Sequence, residues 1–213
     1  MPLNRFLNLP KEDKERVLEI SKKQFSTHGY DATSLNLLLK ELDISKGQFY
    51  YWFEDKADLF FTVLKQGMDI LKQRLNDHGM PNSKSEYWAH MRKSRLISEK
   101  LWEEKDFVEI GRIIYQQIPS NHPLYERLQE IESPLRNYFC EGIQLGQTWG
   151  LVRTDLSASV LYDLTDGVSE AFYNKILNIC SKESVPSNES VALHELLGQT
   201  LRFVLTPEDH NDS

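Results

Sequence analysis

Several features that mark particular classes of protein are missing from this sequence or scarce in it. No stretch of about 18 consecutive apolar residues occurs, and a membrane-spanning helix needs that length. The first residues, MPLNRFLNLPKEDKER, become charged too early for a secretory signal peptide. Only two cysteines are present, Cys140 and Cys180, and they lie far apart in the chain. These absences predict a soluble cytoplasmic protein, without a membrane segment, whose thiols stay reduced.

The short motifs of common enzyme classes are absent as well. The six histidines are scattered, and Gly198 stands where a zinc-binding H-E-x-x-H motif beginning at His194 would need its second histidine. There is neither a glycine-rich phosphate loop nor a G-x-S-x-G nucleophile elbow, and neither cysteine has a predictable histidine partner. We therefore predict no enzymatic activity, no catalytic residue and no cofactor. No metal site is expected, since one could only be built from residues distant in sequence.

Positive charge is also in short supply. The net charge of −7 argues against a protein that coats nucleic acid without selectivity, because Lys and Arg drive such binding by neutralising phosphates. Residues 1–60 carry nine Lys/Arg against ten Asp/Glu, and the remaining residues account for a net of −6. Between Ile44 and Phe53, however, there is one lysine and no acid. A DNA-reading element in that stretch would be free of repelling carboxylates.

Hydrophobic residues at helical spacing are present along nearly the whole chain, with little strand-like alternation. This pattern predicts an all-α fold, and 213 residues with 40% hydrophobic content suffice for one large core or for a small module attached to a larger one. The expected helices span about 10–28, 33–42, 45–52, 55–78, 84–104, 105–118, 123–148, 156–180 and 188–205. Pro134 is expected to kink or restart the helix that contains it.

The two short helices at 33–42 and 45–52 are joined by a three-residue turn, Asp43-Ile44-Ser45. Ser45 followed by Gln48 has the spacing of a capping box, and Asp55 followed by Asp58 repeats that spacing at the start of the next helix. Two helices joined in this way form a helix-turn-helix, whose second helix enters the major groove of DNA. The spacing alone is weak evidence, because short helix pairs occur in many all-α proteins.

The residues themselves are more specific than the spacing. The segment TSLNLLLKELDISKGQFYYWFEDKADLF, within residues 12–64, resembles the N-terminal signature of the TetR (tetracycline repressor) family of transcriptional regulators. The matching features are Phe25, Gly29-Tyr30, Thr33-Ser34, Ile44-Ser45-Lys46-Gly47, Phe49-Tyr50, Phe53, Lys56 and Leu59. Leu39 stands where the family usually has alanine, which demands local repacking. Asp43 stands where it usually has glycine, and aspartate tolerates a left-handed backbone better than most residues do.

The resemblance implies a DNA-binding domain at 1–60 and roles for individual residues in it. Thr33 and Ser34 are expected to offer hydroxyls and helix-start amides to phosphates, or simply to cap the helix. Lys46 is expected to contact a phosphate or a guanine edge. Gln48 is expected to pair with adenine through its amide, unless it only closes its capping box.

Aromatic residues of the same stretch are expected to divide between the surface and the core. Tyr50 and Trp52 would present a hydroxyl and an indole N–H to the DNA backbone, while Phe49 and Phe53 face inward. Lys56 would add a phosphate contact or remain a solvated lysine. Two further predicted contacts complete the DNA-binding set, with Gly47 allowing close approach of DNA and Asn36 touching phosphate or the edge of the site.

For residues 61–206 the resemblance implies a helical bundle that binds an effector and forms a homodimer, with a tail at 207–213. The predicted dimer interface comprises Leu161, Leu164, Val168, Phe172, Leu197, Leu201 and Val204. These stripes could instead pack on each other within one chain. The predicted effector pocket comprises Met91, Trp102, Phe107, Ile110, Ile114, Phe139 and Phe172, most of which could equally be ordinary core.

Taken together, these features predict a dimeric repressor that binds double-stranded operator DNA and leaves it when a small hydrophobic effector binds. The alternative is a helical ligand-carrier or interaction protein whose DNA-binding module has decayed. The acidic balance of residues 1–60 and the presence of Leu39 favour that alternative.

Overall fold

The computed structural model describes residues 2–102, 118, 121–180 and 188–207. All regular structure within these ranges is helical, so the predicted all-α class is confirmed. The helices are α1 Asn4–Leu7, α2 Lys11–Ala32, α3 Leu35–Leu42, α4 Lys46–Trp52, α5 Lys56–His78, α6 Tyr87–Trp102, α7 Tyr125–Thr148, α8 Ala158–Cys180 and α9 Asn188–Leu205. The helix predicted at 105–118 falls almost wholly outside the described residues.

The helices around the predicted turn begin and end for the reasons that the sequence indicates. The Ser34 hydroxyl accepts a hydrogen bond from the Leu37 amide at 3.4 Å, and the Ser45 hydroxyl accepts one from the Gln48 amide at 3.1 Å. Each serine therefore caps the helix that follows it. Asp43 ends α3 in the left-handed conformation, with φ 53° and ψ 49°. Aspartate thus takes the backbone geometry that glycine would supply at this turn.

The first long helix was expected at about 10–28, and α2 begins at Lys11 and is interrupted by a non-helical Gly29 before it continues to Ala32. The short helix α1 that precedes it was not expected. Four residues are too few to produce a periodic pattern, which is why α1 left no signal in the sequence. Pro134 does not restart its helix, because α7 runs continuously from Tyr125 to Thr148, and the alternative of a kink at Pro134 stays a prediction.

By its contacts the described chain divides into two compact units. Unit 1 comprises Met1–Gln73 and Glu99–Glu132, and unit 2 comprises Arg74–Ser98 and Ser133–Ser213. The boundary predicted near residue 60 separates a DNA-binding part from an effector-binding part. It concerns function and not contacts, so this division does not test it.

Unit 1 is built around an aromatic core that the first five helices share. Phe25 and Phe60 meet edge to face with ring centroids 5.0 Å apart, and Phe49 and Phe53 are completely buried. The bulky Leu39 is accommodated in the same core. Residues from the later part of unit 1 join it, namely Ile118, Leu124, Tyr125, Leu128 and Ile131.

Unit 2 depends on close packing of α6 against a small-residue face of α7. The buried Tyr87 hydroxyl donates a hydrogen bond to the Gly142 carbonyl at 3.1 Å, and burial raises the pKa of this phenol. A methyl group on Gly146 would lie 2.4 Å from the Tyr87 hydroxyl oxygen and 2.5 Å from a Val152 methyl carbon. Only glycine therefore lets α6 approach α7 this closely. Helices α8 and α9 complete the unit and pack extensively on each other.

Replacing Gly146 with alanine is expected to destabilise the protein by about 1–3 kcal/mol, because a methyl group must displace the buried Tyr87 ring. Chemical denaturation followed by circular dichroism measures the change. Gly47→Ala is the matched control, since its new methyl would meet only the Ser45 hydroxyl oxygen, at 3.8 Å. Gly47→Ala should leave stability equal or higher, as alanine favours helix. Equal stability of Gly146→Ala and the wild type would contradict this packing.

Candidate nucleic-acid interface

Helices α3 and α4, with the turn at residues 43–45 between them, have the arrangement of a helix-turn-helix. In that motif the second helix is the one that enters the major groove. We call α4 the reading helix for that reason. It is only seven residues long, so its orientation depends on how it is packed.

One side of the reading helix is buried and the other is exposed. The buried residues are Phe49 and Trp52, and the exposed residues are Lys46, Gly47, Gln48, Tyr50 and Tyr51. At about 100° per residue the exposed residues form one continuous arc with Gly47 at its centre. No acidic side chain lies on this arc. We call it the reading face.

Neither the backbone conformation nor the packing at position 47 requires a glycine. It lies in a regular helix, and a methyl group there would meet nothing nearer than the Ser45 hydroxyl oxygen, at 3.8 Å. Glycine within a helix is about 1 kcal/mol less favourable than alanine. Its effect is to leave the backbone uncovered at the centre of the reading face.

Two tyrosines stand on either side of Gly47, and each has a basic group against its ring. Tyr50 is 46% exposed, with the Lys46 ammonium 6.0 Å from its ring centroid. Tyr51 is 51% exposed, with the Arg5 guanidinium 4.1 Å from its ring centroid. Tyr50 belongs to the predicted DNA-binding residues, whereas Tyr51 was not predicted. A helical projection would have found it, because Tyr51 falls between Gly47 and Gln48.

Trp52 does not lie on the surface where the sequence analysis placed it. Its side chain is only 5% exposed, and its ring meets Phe6 of α1 edge to face at 6.2 Å. The Leu3 amide also donates a hydrogen bond to the Trp52 carbonyl at 2.9 Å. The unforeseen α1 covers this side of the reading helix. Phe49 and Phe53 face inward, as predicted.

Thr33 and Ser34 also differ from what was expected of them as a pair. Thr33 is buried, and its hydroxyl donates a hydrogen bond to the Gly29 carbonyl at 2.6 Å. This hydroxyl therefore closes the end of α2 and does not face the surface. Ser34 is exposed and caps α3, while Asn36 is exposed as the second residue of that helix. Ser34 and Asn36 keep the surface positions that their predicted contacts require.

Lys56 has a structural contact that sequence spacing could not show. Its ammonium donates hydrogen bonds to the carbonyls of Tyr30 at 2.6 Å, Thr33 at 3.0 Å and Asp31 at 3.4 Å. An ammonium has three donors, so these carbonyls at the end of α2 use all of them. Burial lowers the pKa of this lysine, against the opposing effect of Asp31. The charge helps to neutralise the end of α2, so Lys56 is not simply a solvated lysine, and its predicted phosphate contact stays a prediction.

Asp58 holds the start of α5 in place. Its amide donates to the Asp55 carboxylate at 2.7 Å, and its own carboxylate accepts from the Glu54 amide at 3.1 Å. The predicted capping by Asp55 and Asp58 is therefore confirmed. The buried Asp58 carboxylate also forms an ion pair with Arg127. Burial raises the pKa of Asp58, but hydrogen bonds and opposite charges at its carboxylate, including those of the Glu54 amide and Arg127, outweigh that effect, and the pKa lies below its usual value.

The predicted dimer interface divides into residues that the chain itself buries and residues that it leaves open. Leu161 and Leu197 are fully buried within unit 2, so they serve its internal packing. Leu164 is 47% exposed. The others are half-buried, namely Val168, Phe172, Leu201 and Val204. Three further apolar residues of α8 and α9 are exposed, namely Val160, Leu196 and Phe203, and Phe203 is 82% exposed.

Of the predicted effector pocket, three residues are described with their side chains. Met91, Phe139 and Phe172 are all half-buried in unit 2. Met91 packs against α7 at Gly142, and Phe139 stacks on Tyr162 with ring centroids 6.5 Å apart. The Trp102 side chain and Phe107, Ile110 and Ile114 lie outside the described residues. The pocket stays a prediction.

The described residues lack two other kinds of feature, a cluster of metal ligands and a membrane-spanning helix. Within ranges 2–102, 118, 121–180 and 188–207, no three His, Cys, Asp or Glu side chains cluster so as to hold a metal ion. In the same part of the chain, no helix has the length and apolar character needed to cross a membrane.

The match to a known protein family falls on the helix-turn-helix, and a curated relative matches over a longer part of the chain. Residues 17–63 match the sequence profile of the bacterial regulatory proteins of the tetR family. The uncharacterised HTH-type transcriptional regulator YhgD of Bacillus subtilis is 25% identical to this chain in an alignment of 162 positions that covers 71% of this chain and 79% of YhgD.

Solved structures share the fold over nearly the whole chain. A TetR family transcriptional regulator from Chloroflexus aurantiacus superposes with a TM-score of 0.63 and 23% identity, covering 96% of each chain. The transcriptional regulator FadR of Bacillus subtilis, in complex with stearoyl-CoA, superposes with a TM-score of 0.73 and 14% identity, covering 90% of this chain and 98% of FadR. At these identities the structures establish the fold alone.

The helix-turn-helix geometry, the matched residues and the fold agree with the resemblance that the sequence signature indicates. The chain is a DNA-binding, helix-turn-helix transcriptional regulator that belongs to the tetR family of bacterial regulatory proteins.

Proposed function

We propose that this regulator is a dimeric repressor that binds operator DNA through its reading face and is released by a small hydrophobic effector. The observation that carries the proposal is the exposed, acid-free arc of α4 centred on Gly47. Two rigid supports hold this arc in place, because Phe49 anchors the helix in the core and Ser45 caps its start. The centre of this face is uncharged and its edges carry basic side chains. This arrangement matches base edges at the bottom of a DNA groove and phosphates along its two sides.

Individual residues on and beside this face have distinct proposed roles. Gln48 is the proposed base reader, since an amide side chain can pair bidentately with adenine. Lys46 and Tyr50 contact the phosphate backbone or, for Lys46, a guanine edge. Ser34 and Asn36 of α3 add contacts at the edge of the site.

Selection of bound sequences from random duplex DNA tests the proposal. We expect enrichment of an inverted repeat whose half-sites lie about 10 base pairs apart, centre to centre, or a multiple of that spacing. Lys46→Ala should weaken binding to the enriched duplex about tenfold, as for the loss of a charged hydrogen bond. Lys40→Ala, an exposed lysine on α3, removes the same charge as a control. Absence of any enriched sequence would instead favour the ligand-carrier alternative.

Gly47→Ala provides a second test within the same assay. The added methyl group has room in the free protein but would project from the centre of the reading face. We expect a loss of affinity for the selected duplex together with unchanged or higher thermal stability. Unchanged affinity would mean that DNA does not approach this face closely.

The exposed apolar surface of unit 2 supports the dimer. Val160 and Leu164 lie one turn apart on α8, and Leu196 and Phe203 lie exposed on α9. A methyl group on Gly167 would meet nothing within 4 Å, so this side of α8 is open. Exposed apolar side chains grouped on two adjacent helices are typical of an interaction surface. A second copy of the chain is the proposed partner, because helix-turn-helix proteins that bind DNA as dimers contact one half-site with each copy.

Phe203→Asp is expected to convert the dimer into monomers, because it places a charge where an apolar contact is proposed. Sedimentation velocity at micromolar concentration measures the change. Leu7→Asp, at another exposed apolar residue, is the control and should remain dimeric. A dimeric Phe203→Asp variant or a monomeric wild-type protein would contradict the proposed interface.

The proposed effector is a small hydrophobic molecule that binds within unit 2. The half-buried Met91, Phe139 and Phe172 supply polarisable and aromatic surface there. FadR of Bacillus subtilis, which has the same fold, binds stearoyl-CoA in its crystal structure. Long-chain acyl-CoA is therefore the first class of ligand to test.

Stearoyl-CoA is expected to raise the melting temperature of the protein and to lower its affinity for the selected duplex. A ligand at 100 times its dissociation constant stabilises the native state by about 2.7 kcal/mol. Acetyl-CoA, which has the same head group and no long chain, is the control. Binding of stearoyl-CoA without any change in DNA affinity would contradict release by this ligand, because coupling between two sites is reciprocal.

A further inference from the structure

The N-terminal helix α1 lies outside residues 17–63 and rests directly on the reading helix. Phe6 is 2% exposed, and its ring centroid is 4.7 Å from that of Phe53. The Leu3 amide donates to the Trp52 carbonyl, and the Lys14 ammonium donates to the Leu7 carbonyl at 3.0 Å. Contacts at both ends and in the middle therefore hold these four residues in place.

This docking places Arg5 beside the reading face. Phe6 points into the core, whereas the neighbouring Arg5 is exposed. Its guanidinium lies 4.1 Å from the Tyr51 ring centroid, a distance typical of a cation–π contact. Among the described residues no carboxylate forms an ion pair with Arg5, and neither α1 nor α4 contains an acid. Within the described part of the chain, no carboxylate therefore occupies the guanidinium donors, which are available to an external anion.

Arg5 and Lys46 make the two sides of the reading face alike. Lys46 stands by Tyr50 on one side of Gly47, and Arg5 stands by Tyr51 on the other. The first pair belongs to the reading helix alone. The second pair needs α1, because no other basic residue of α4 is available on that side.

We propose that Arg5 binds a DNA phosphate at the edge of the half-site that the reading helix occupies, and that Tyr51 positions it there. The proposal rests on the DNA-binding role proposed for α4. A planar guanidinium matches the oxygens of a phosphate bidentately, and stacking on an aromatic ring limits its conformational freedom. Contacts of this kind fix the register of a protein on the duplex. Helix α1 is thus a third DNA-contacting element, beside α3 and α4.

The test uses the duplex that the full-length wild-type protein selects, with affinity measured at several salt concentrations. Arg5→Ala is expected to weaken binding about tenfold. It should also reduce the slope of log affinity against log salt by about 0.9 for each bound head. Arg5→Lys should restore most of that slope. Lys72→Ala removes an equal charge from an exposed position on α5 and should leave both quantities unchanged.

A double-variant cycle tests the positioning role of Tyr51. Tyr51→Phe keeps the ring, so Arg5→Ala should still weaken binding in that background. Tyr51→Ala removes the ring, and Arg5→Ala should then have a much smaller effect. Equal effects of Arg5→Ala in both backgrounds would overturn the positioning role. Melting temperatures should be the same for all these variants, because both side chains are exposed.

The outcomes separate this inference from the function on which it rests. If the wild-type protein selects no duplex, both are overturned. If Lys46→Ala weakens binding while Arg5→Ala behaves like Lys72→Ala, the proposed function stands and only the contact of Arg5 is overturned.

Discussion

The structure of the DNA-binding head depends on the burial of one side of a seven-residue helix. A helix as short as α4 does not form in water by itself, because nucleation is unfavourable and too few bonds follow it. It exists here because Phe49 and Trp52 are buried and Phe53 follows them into the core. The same burial determines which residues remain outside. The reading face is therefore a consequence of packing, and its chemistry comes from the residues of α4 that remain exposed.

Several charged side chains close to the helix-turn-helix are used in contacts within the protein. Lys56, which stands close to the motif in sequence, uses its charge on the carbonyls at the end of α2. Asp58 and Arg127 neutralise each other at the start of α5. Few basic groups are left beside the reading face, in a chain whose net charge is −7. The phosphate contacts proposed for Lys46 and Arg5 would consequently contribute a larger share of the DNA affinity than single charges do in a strongly basic domain.

How much of the molecule could be predicted from its sequence varies with the distance over which the relevant contacts act. The ends of α3 and α4 were predictable, because Ser34, Ser45 and Asp43 act on neighbouring backbone groups. The inward orientation of Phe49 and Phe53 followed from helical spacing. The surface position of Trp52 was predicted wrongly, because α1 covers it and four residues carry no periodic signal. Tyr51 was not predicted, although the same helical spacing places it on the exposed side of α4.

The sequence by itself determined the fold class, the limits of the helix-turn-helix and the family, because these depend on local hydrogen bonds, periodicity and short motifs. Only the tertiary structure decided which side chains of that motif remain accessible. Thr33, Trp52 and Lys56 are engaged by Gly29, by Phe6 and by the end of α2 respectively. Arg5 is instead brought beside Tyr51, 46 residues later in the chain. Contacts between distant residues arise from burial of the shared aromatic core, and no local pattern encodes them.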